Sequence, residues 1–227
     1  MMRLVWLLLC LWLAIVPARA KEAPIDPTQS YAVIEIRKLE SPMVKGANMP
    51  GSVTLTRYDR AKGDIRPAIG AEVIRIVVEK KPLAKTKEGR LYLVRLVPDD
   101  WVVEGSNGTA FSLGSMMFSV APGEVVDLGV FTPSVDWLEG EGPKGIGSAI
   151  LGAALFGSMR PKDERPVRID WHARTSADMP LPNSLAGTTV VPARFDPHHK
   201  FGNHLGGLVN RFGGRASRPQ RNDGGGN

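Results

Sequence analysis

The chain has 227 residues, of which 43% are hydrophobic, enough for a sizeable core in one domain with extensions or in two small domains. Its single cysteine excludes a disulfide framework. A formal charge of +6 favours acidic surfaces in general but is too small and too spread out to select lipid, polysaccharide or nucleic acid.

The first 20 residues read as a secretory signal peptide. Arg3 gives a positive start, residues 4–16 form a nearly continuous apolar run, and Ala18 and Ala20 are the small residues a signal peptidase reads, so cleavage is expected after Ala20. The run is shorter than the roughly 20 apolar residues of a membrane span. Cys10 sits inside it, preceded by leucines, and is badly placed to accept a lipid. Loss of Arg3 and Arg19 with the signal leaves the mature chain near +4. Export without cysteines points to a bacterial periplasm or cell surface.

Residues 21–30 read as an extended leading segment. A β-sandwich domain is expected over residues 31–131. Residues 31–37 (YAVIEIR) alternate, with Ile34 and Ile36 on one face and Glu35 and Arg37 on the other. Residues 52–58 (SVTLTRY) repeat the pattern, and residues 72–79 (EVIRIVVE) are so rich in β-branched side chains that a central strand is expected. A long polar connection (residues 59–70) lies between those two strands. Residues 80–89 (KKPLAKTKEG) are a basic loop, read either as an anion-binding patch or as an edge guarded by lysine. Strands follow at 91–97 and 101–104. Asn107-Gly108 is the strongest hairpin signal in the chain, since both residues tolerate positive φ. Residues 111–120 form a further strand, whose Met116-Met117-Phe118 run predicts burial on both faces or a bulge. Residues 124–130 close the set.

A C-terminal extension is expected over residues 132–210. It begins with a proline-containing linker to residue 144. Residues 145–159 (GIGSAILGAALFGSM) read as a short apolar helix, with a peripheral membrane contact as the alternative. Residues 167–172 (VRIDWH) predict a late strand and residues 188–191 a weaker one. The Gly/Arg-rich segment 211–227 reads as a disordered tail.

Candidate chemistry is sparse. His198, His199 and His204, beside Asp196, are the only cluster with metal-ligand character, and their spacing matches no zinc or copper motif. A metal-dependent hydrolase built on these three histidines is the enzymatic alternative. The fourth histidine, His172, lies in the expected late strand. No serine elbow, phosphate-binding glycine loop or cysteine nucleophile is present after export, so no catalytic or cofactor-binding residue is assigned. The acidic pairs Asp99-Asp100 and Glu139/Glu141 have the chemistry for acid–base work or Ca²⁺ binding, but adjacent carboxylates in a strand alternate faces, so Asp99-Asp100 is read as a hairpin turn. Trp101 is expected in the core, and Trp137 in an acidic loop offers a face for sugar stacking. Phe201 and Phe212 are too few aromatics to make the arginine-rich tail a single-strand platform, so nucleic acid is not expected as a partner.

Residues 91–98 (LYLVRLVP), 101–105 (WVVEG) and 118–129 (FSVAPGEVVDLG) follow one another as strand, proline turn, strand ending in glycine, strand, Pro-Gly turn and strand. This order resembles a group of bacterial exported domains of unknown function with a transthyretin-like (prealbumin-like) β-sandwich. The likeness covers about a third of the chain. Asp99-Asp100 stand where the group often has glycine, and no lipid-accepting cysteine is in place. The resemblance implies a mainly β fold, an envelope location and no active-site residue. The expected function is a non-enzymatic envelope or interaction module, with an envelope or extracellular protein or a polysaccharide as partner.

Overall fold

The structure is a computed structural model and describes residues 26–41, 45–66, 73–76, 81–142, 165–204 and 206–215. The expected signal peptide and the apolar segment 145–159 lie outside the described residues. Sixteen strands are described: β1 (Ser30–Arg37), β2 (Leu39–Glu40), β3 (Asn48–Met49), β4 (Val53–Asp59), β5 (Asp64–Ile65), β6 (Val73–Ile76), β7 (Ala84–Lys85) and β8 (Gly89–Leu96), then β9 (Asp99–Ser106), β10 (Thr109–Ala110), β11 (Ser115–Val120), β12 (Val125–Val135), β13 (Val167–His172), β14 (Val190–Pro192), β15 (Asp196–His199) and β16 (Leu208–Val209). The only helical turn among the described residues is Asn183–Leu185.

They form a mainly β sandwich of two large sheets. The first runs β13–β12–β1–β8–β7, with β14 beside the start of β12. The second runs β4–β9–β11–β15, with β5 and β6 on β4 and with β10 and β16 beside the end of β9. Pairing is antiparallel throughout the main strands except for β1 with β12. Period-two alternation then decides which side chains face inward. Ala32, Ile34 and Ile36 from β1, Tyr92, Val94 and Leu96 from β8, and Val53 and Leu55 from β4 share one buried cluster with Trp101, Phe118 and Phe131. Trp101 is fully buried, as its place in the sequence predicts, and its indole donates to the Val97 carbonyl.

Two turns carry the geometry. Asn107 and Gly108 take φ values of 45° and 81° and close β9 onto β10 as a two-residue hairpin. Gly129 has φ 80° and sits where the β1–β12 register slips between Val33 and Glu35. A Cβ there would meet the His172 carbonyl oxygen at 2.5 Å, so the bulge is closed against β13 by the absence of a side chain.

Three expectations are corrected. The sandwich does not end at residue 131: β12 continues to Val135 through the supposed linker. Pro133 is tolerated there because it faces Ile169 in a pair whose N–H turns away, to the Phe212 carbonyl, so no ladder bond is lost. The strand at 73–76 is not central; among the described residues it pairs only with β4. β-Branched density reports a fit to a pleated surface, not a position in the sheet order. The third correction is to the tail. Residues 211–215 are packed rather than disordered, and 216–227 lie outside the described residues. Phe212 is buried against Phe111 and Phe131, at ring separations of 5.7 Å in each case, and its N–H donates to the Gly114 carbonyl. One large aromatic supplies the burial that the glycine- and arginine-rich composition does not announce. The Met116-Met117-Phe118 run does bury both faces, with a register shift against β15.

Phe212→Ala is therefore expected to lower stability by about 3–5 kcal/mol, the usual cost of removing a buried phenylalanine, in urea unfolding at unchanged slope. A loss within the roughly 0.5 kcal/mol of a surface substitution would mean that the segment does not belong to the core.

Candidate functional site

The outer face of the first sheet is not left to solvent. Val33, Leu91 and Val125 form a second apolar cluster with Met179 and Leu185 from the extension, flanked by Tyr31, Leu93, Leu181 and Val190. Beside this cluster lies a network of buried and half-buried charges. Glu35 projects from the same face of β1 and is fully buried. Arg174 Nη1 donates to Glu35 Oε2 at 2.8 Å, and its Nε donates to Asp127 Oδ2 at 2.8 Å. The Met179 N–H adds a third contact, donating to Glu35 Oε2 at 3.1 Å. Arg37 bridges onward: its Nη2 lies 2.9 Å from Glu35 Oε1 as an ion pair without hydrogen-bond alignment, and 2.9 Å from Asp178 Oδ1 with it.

Asp178 closes the network. It accepts hydrogen bonds from the N–H and hydroxyl of Thr175 at 2.9 and 2.8 Å and faces His172 Nε2 at 3.1 Å. Burial raises its carboxyl pKa, but the Thr175 and His172 interactions outweigh that and hold it well below the ordinary 3.8. Three carboxylates thus meet two guanidiniums and one imidazole. Each acid has a fixed cation or donor.

The histidines of the expected metal cluster go to separate partners. His199 packs edge-on to Tyr58 at 5.1 Å and faces Asp196 at 3.4 Å. His204 faces Asp64 at 3.4 Å, and His198 is exposed with φ 72°. Among the described residues, no three His, Cys, Asp or Glu groups come together as a metal would require. Burial raises the Tyr58 hydroxyl pKa, with Asp64 and Asp196 adding to it. The acidic pair at 99–100 opens a strand rather than a turn. Asp99 is held by Arg57 and Arg66, and Asp100 by Arg60 and the Ser119 hydroxyl. Glu141 pairs with Arg165 at 2.6 Å. Trp137 is half-buried against Leu39, Val135 and Val167, which leaves less face for a sugar than an exposed loop would.

Two small clefts open at the rims of the first sheet. One, of about 220 Å³, is lined by Gln29, Arg95, Val97 and Pro98 among others. The other, of about 230 Å³, lies where the ends of β1 and β8 meet the loop before β4, and Arg37, Lys38 and Arg90 line it together with Ile36, Met49 and Pro50. The basic loop borders this second cleft. Residues 84–85 form the edge strand β7, in keeping with an edge guarded by lysine.

Arg174 and Asp178 were not legible as site residues, because neither belongs to a motif. Comparison with protein-family models, with curated proteins and with solved structures finds no match.

Replacing Arg174 by methionine leaves Glu35 buried beside an apolar group and is expected to cost about 3–5 kcal/mol; pairing it with Glu35→Leu should restore much of that. A separate test uses pH. The folded Asp178 pKa is depressed, so its contribution is complete above the unfolded value of 3.8 and is lost as pH falls below it towards the folded value. Urea midpoints should show wild type well above Asp178→Asn at pH 7 and closer to it at pH 3. An equal gap at both pH values would contradict the role given to this carboxylate.

Proposed function

We propose that the protein is an exported, non-enzymatic binding module of the bacterial cell envelope. The leader-like first 20 residues support export. The strand order supports the transthyretin-like resemblance. Four principal strands (β13, β12, β1, β8) face four others (β6, β4, β9, β11), and the first and seventh principal strands of the chain pair in parallel while their neighbours run antiparallel.

The observation that carries the reading is the state of the polar groups. Five acids, Glu35, Asp99, Asp100, Asp127 and Asp178, are each bound to an arginine of the same chain. Such pairing fixes the side chains in place, and at Asp100 the Arg60 guanidinium holds the carboxyl below its ordinary range, the opposite of tuning a carboxyl for proton transfer at neutral pH. What remains for a partner is the rim of the sandwich: the loops, the two clefts and the basic edge.

Fractionation of cells making the tagged protein, with sequencing of the mature N-terminus, tests the location. A soluble periplasmic or medium product starting at Lys21 is expected. A product retaining Met1 or Met2 in the membrane fraction would make residues 4–16 an anchor, and a cytosolic product would end the exported-module reading.

A further inference from the structure

We infer that the cleft between the ends of β1 and β8 and the loop before β4 binds an acidic saccharide unit, one bearing a carboxylate or phosphate, within an envelope or extracellular polysaccharide. This rests on the exported-module reading only for access to such polymers.

The first support is charge. Arg37, Lys38 and Arg90 line the cleft, and among the described residues no carboxylate does. Arg37 is committed to Glu35 and Asp178. Lys38 and Arg90 make no side-chain hydrogen bond or ion pair with any described residue, although Arg90 is half-buried. A half-buried guanidinium without an anion is poorly compensated, since it gives up hydration and gains no partner.

The second support is register. Lys85 stands directly opposite Arg90 across the β7–β8 pair. Like charges at directly opposed positions destabilise a sheet. Guarding an edge against aggregation needs the exposed Lys85; it does not need a second cation placed against it and turned toward a cleft. An external anion would relieve both.

Shape and lining select among anions. The remaining walls include Ile36, Met49 and Pro50, apolar surface suited to the C–H face of a sugar ring. Among the described residues no aromatic lines the cleft, so they offer no stacking platform of the kind a single-strand nucleic-acid site uses. At about 230 Å³ it falls below the ~300–1,000 Å³ of sites for drug-sized ligands. It fits one unit of a chain.

The test is equilibrium binding of the purified mature chain to polygalacturonate at low salt. Neutral dextran, single-stranded DNA and phosphatidylglycerol vesicles serve as the other probes. Binding to polygalacturonate is expected, with none to dextran and weaker binding to DNA and vesicles. Arg90→Gln and, separately, Lys38→Gln should each weaken it about tenfold or more. Arg95→Gln, the same charge change at the other cleft, should leave it within about twofold. Unfolding midpoints identify any variant that fails to fold, and the exposed Lys38→Glu then serves in its place. Absence of polygalacturonate binding, equal loss in Arg90→Gln and Arg95→Gln, or tighter binding to DNA or vesicles would each overturn the assignment. An envelope protein that binds no polyuronate sinks this inference alone, whereas a cytosolic location sinks the exported-module reading whatever the protein binds.

Discussion

A carboxylate with no access to solvent must be answered by cations or donors, or it unfolds the region that buries it. Glu35 is that group here. It stands on the outer face of β1, the face that a simple two-sheet sandwich would give to water. The extension brings Arg174 and the Met179 N–H to it, and Arg37 and Asp178 continue the same set of contacts. The extension therefore cannot leave the sheet without stripping a buried charge of its partners. Sandwich and extension become one cooperative unit at this point.

The chain has little else with which to join distant segments. Its one cysteine is Cys10, so no disulfide can tie residues 167–215 to the strands before 136. Burial does that work instead. Met179 and Leu185 cover Val33 and Leu91 on the outer face, while Phe201 and Phe212 enter the cluster between the sheets. Phe195 meets Phe118, Phe131 and Trp171 edge-on at 5.1–6.3 Å. At the far end Asp136 holds Asn210 and Arg215. Ion pairs of this kind add little net stability when compared with an apolar replacement, but they fix which surfaces meet. The apolar cover supplies the energy and the charges supply the register.

Much of this fold was legible from alternation. Ile34 and Ile36 point one way and Glu35 and Arg37 the other, as the sequence pattern of residues 31–37 requires, and the Asn107-Gly108 turn is where its residue types place it. What alternation could not reveal is that the face carrying Glu35 is covered. Nothing local to β1 states that a segment 139 residues later returns to it. The Phe212 contact was hidden for a related reason. A lone aromatic in a glycine-rich stretch does not shift the composition of its window, yet it can fill a core position by itself. The histidines show the limit of sequence proximity: His198 and His199 are neighbours in sequence, but His198 takes φ 72° where the β11–β15 register shifts, and His199 meets Tyr58 while His198 meets solvent. Isolated Phe195, Phe201 and Phe212 were the available signal that the extension packs, since burying a phenylalanine is favourable.

If the extension and the sandwich are one unit, their backbone amides must open together. Native-state hydrogen exchange measures this directly. The Ile169 N–H, bonded to Phe212, and the Met179 N–H, bonded to Glu35, should exchange only through the same global opening as the β1 and β8 amides, with the same dependence on urea. Exchange of Ile169 and Met179 through a lower-energy, urea-independent opening while β1 stays protected would contradict it, and would leave residues 167–215 as a loosely attached appendage.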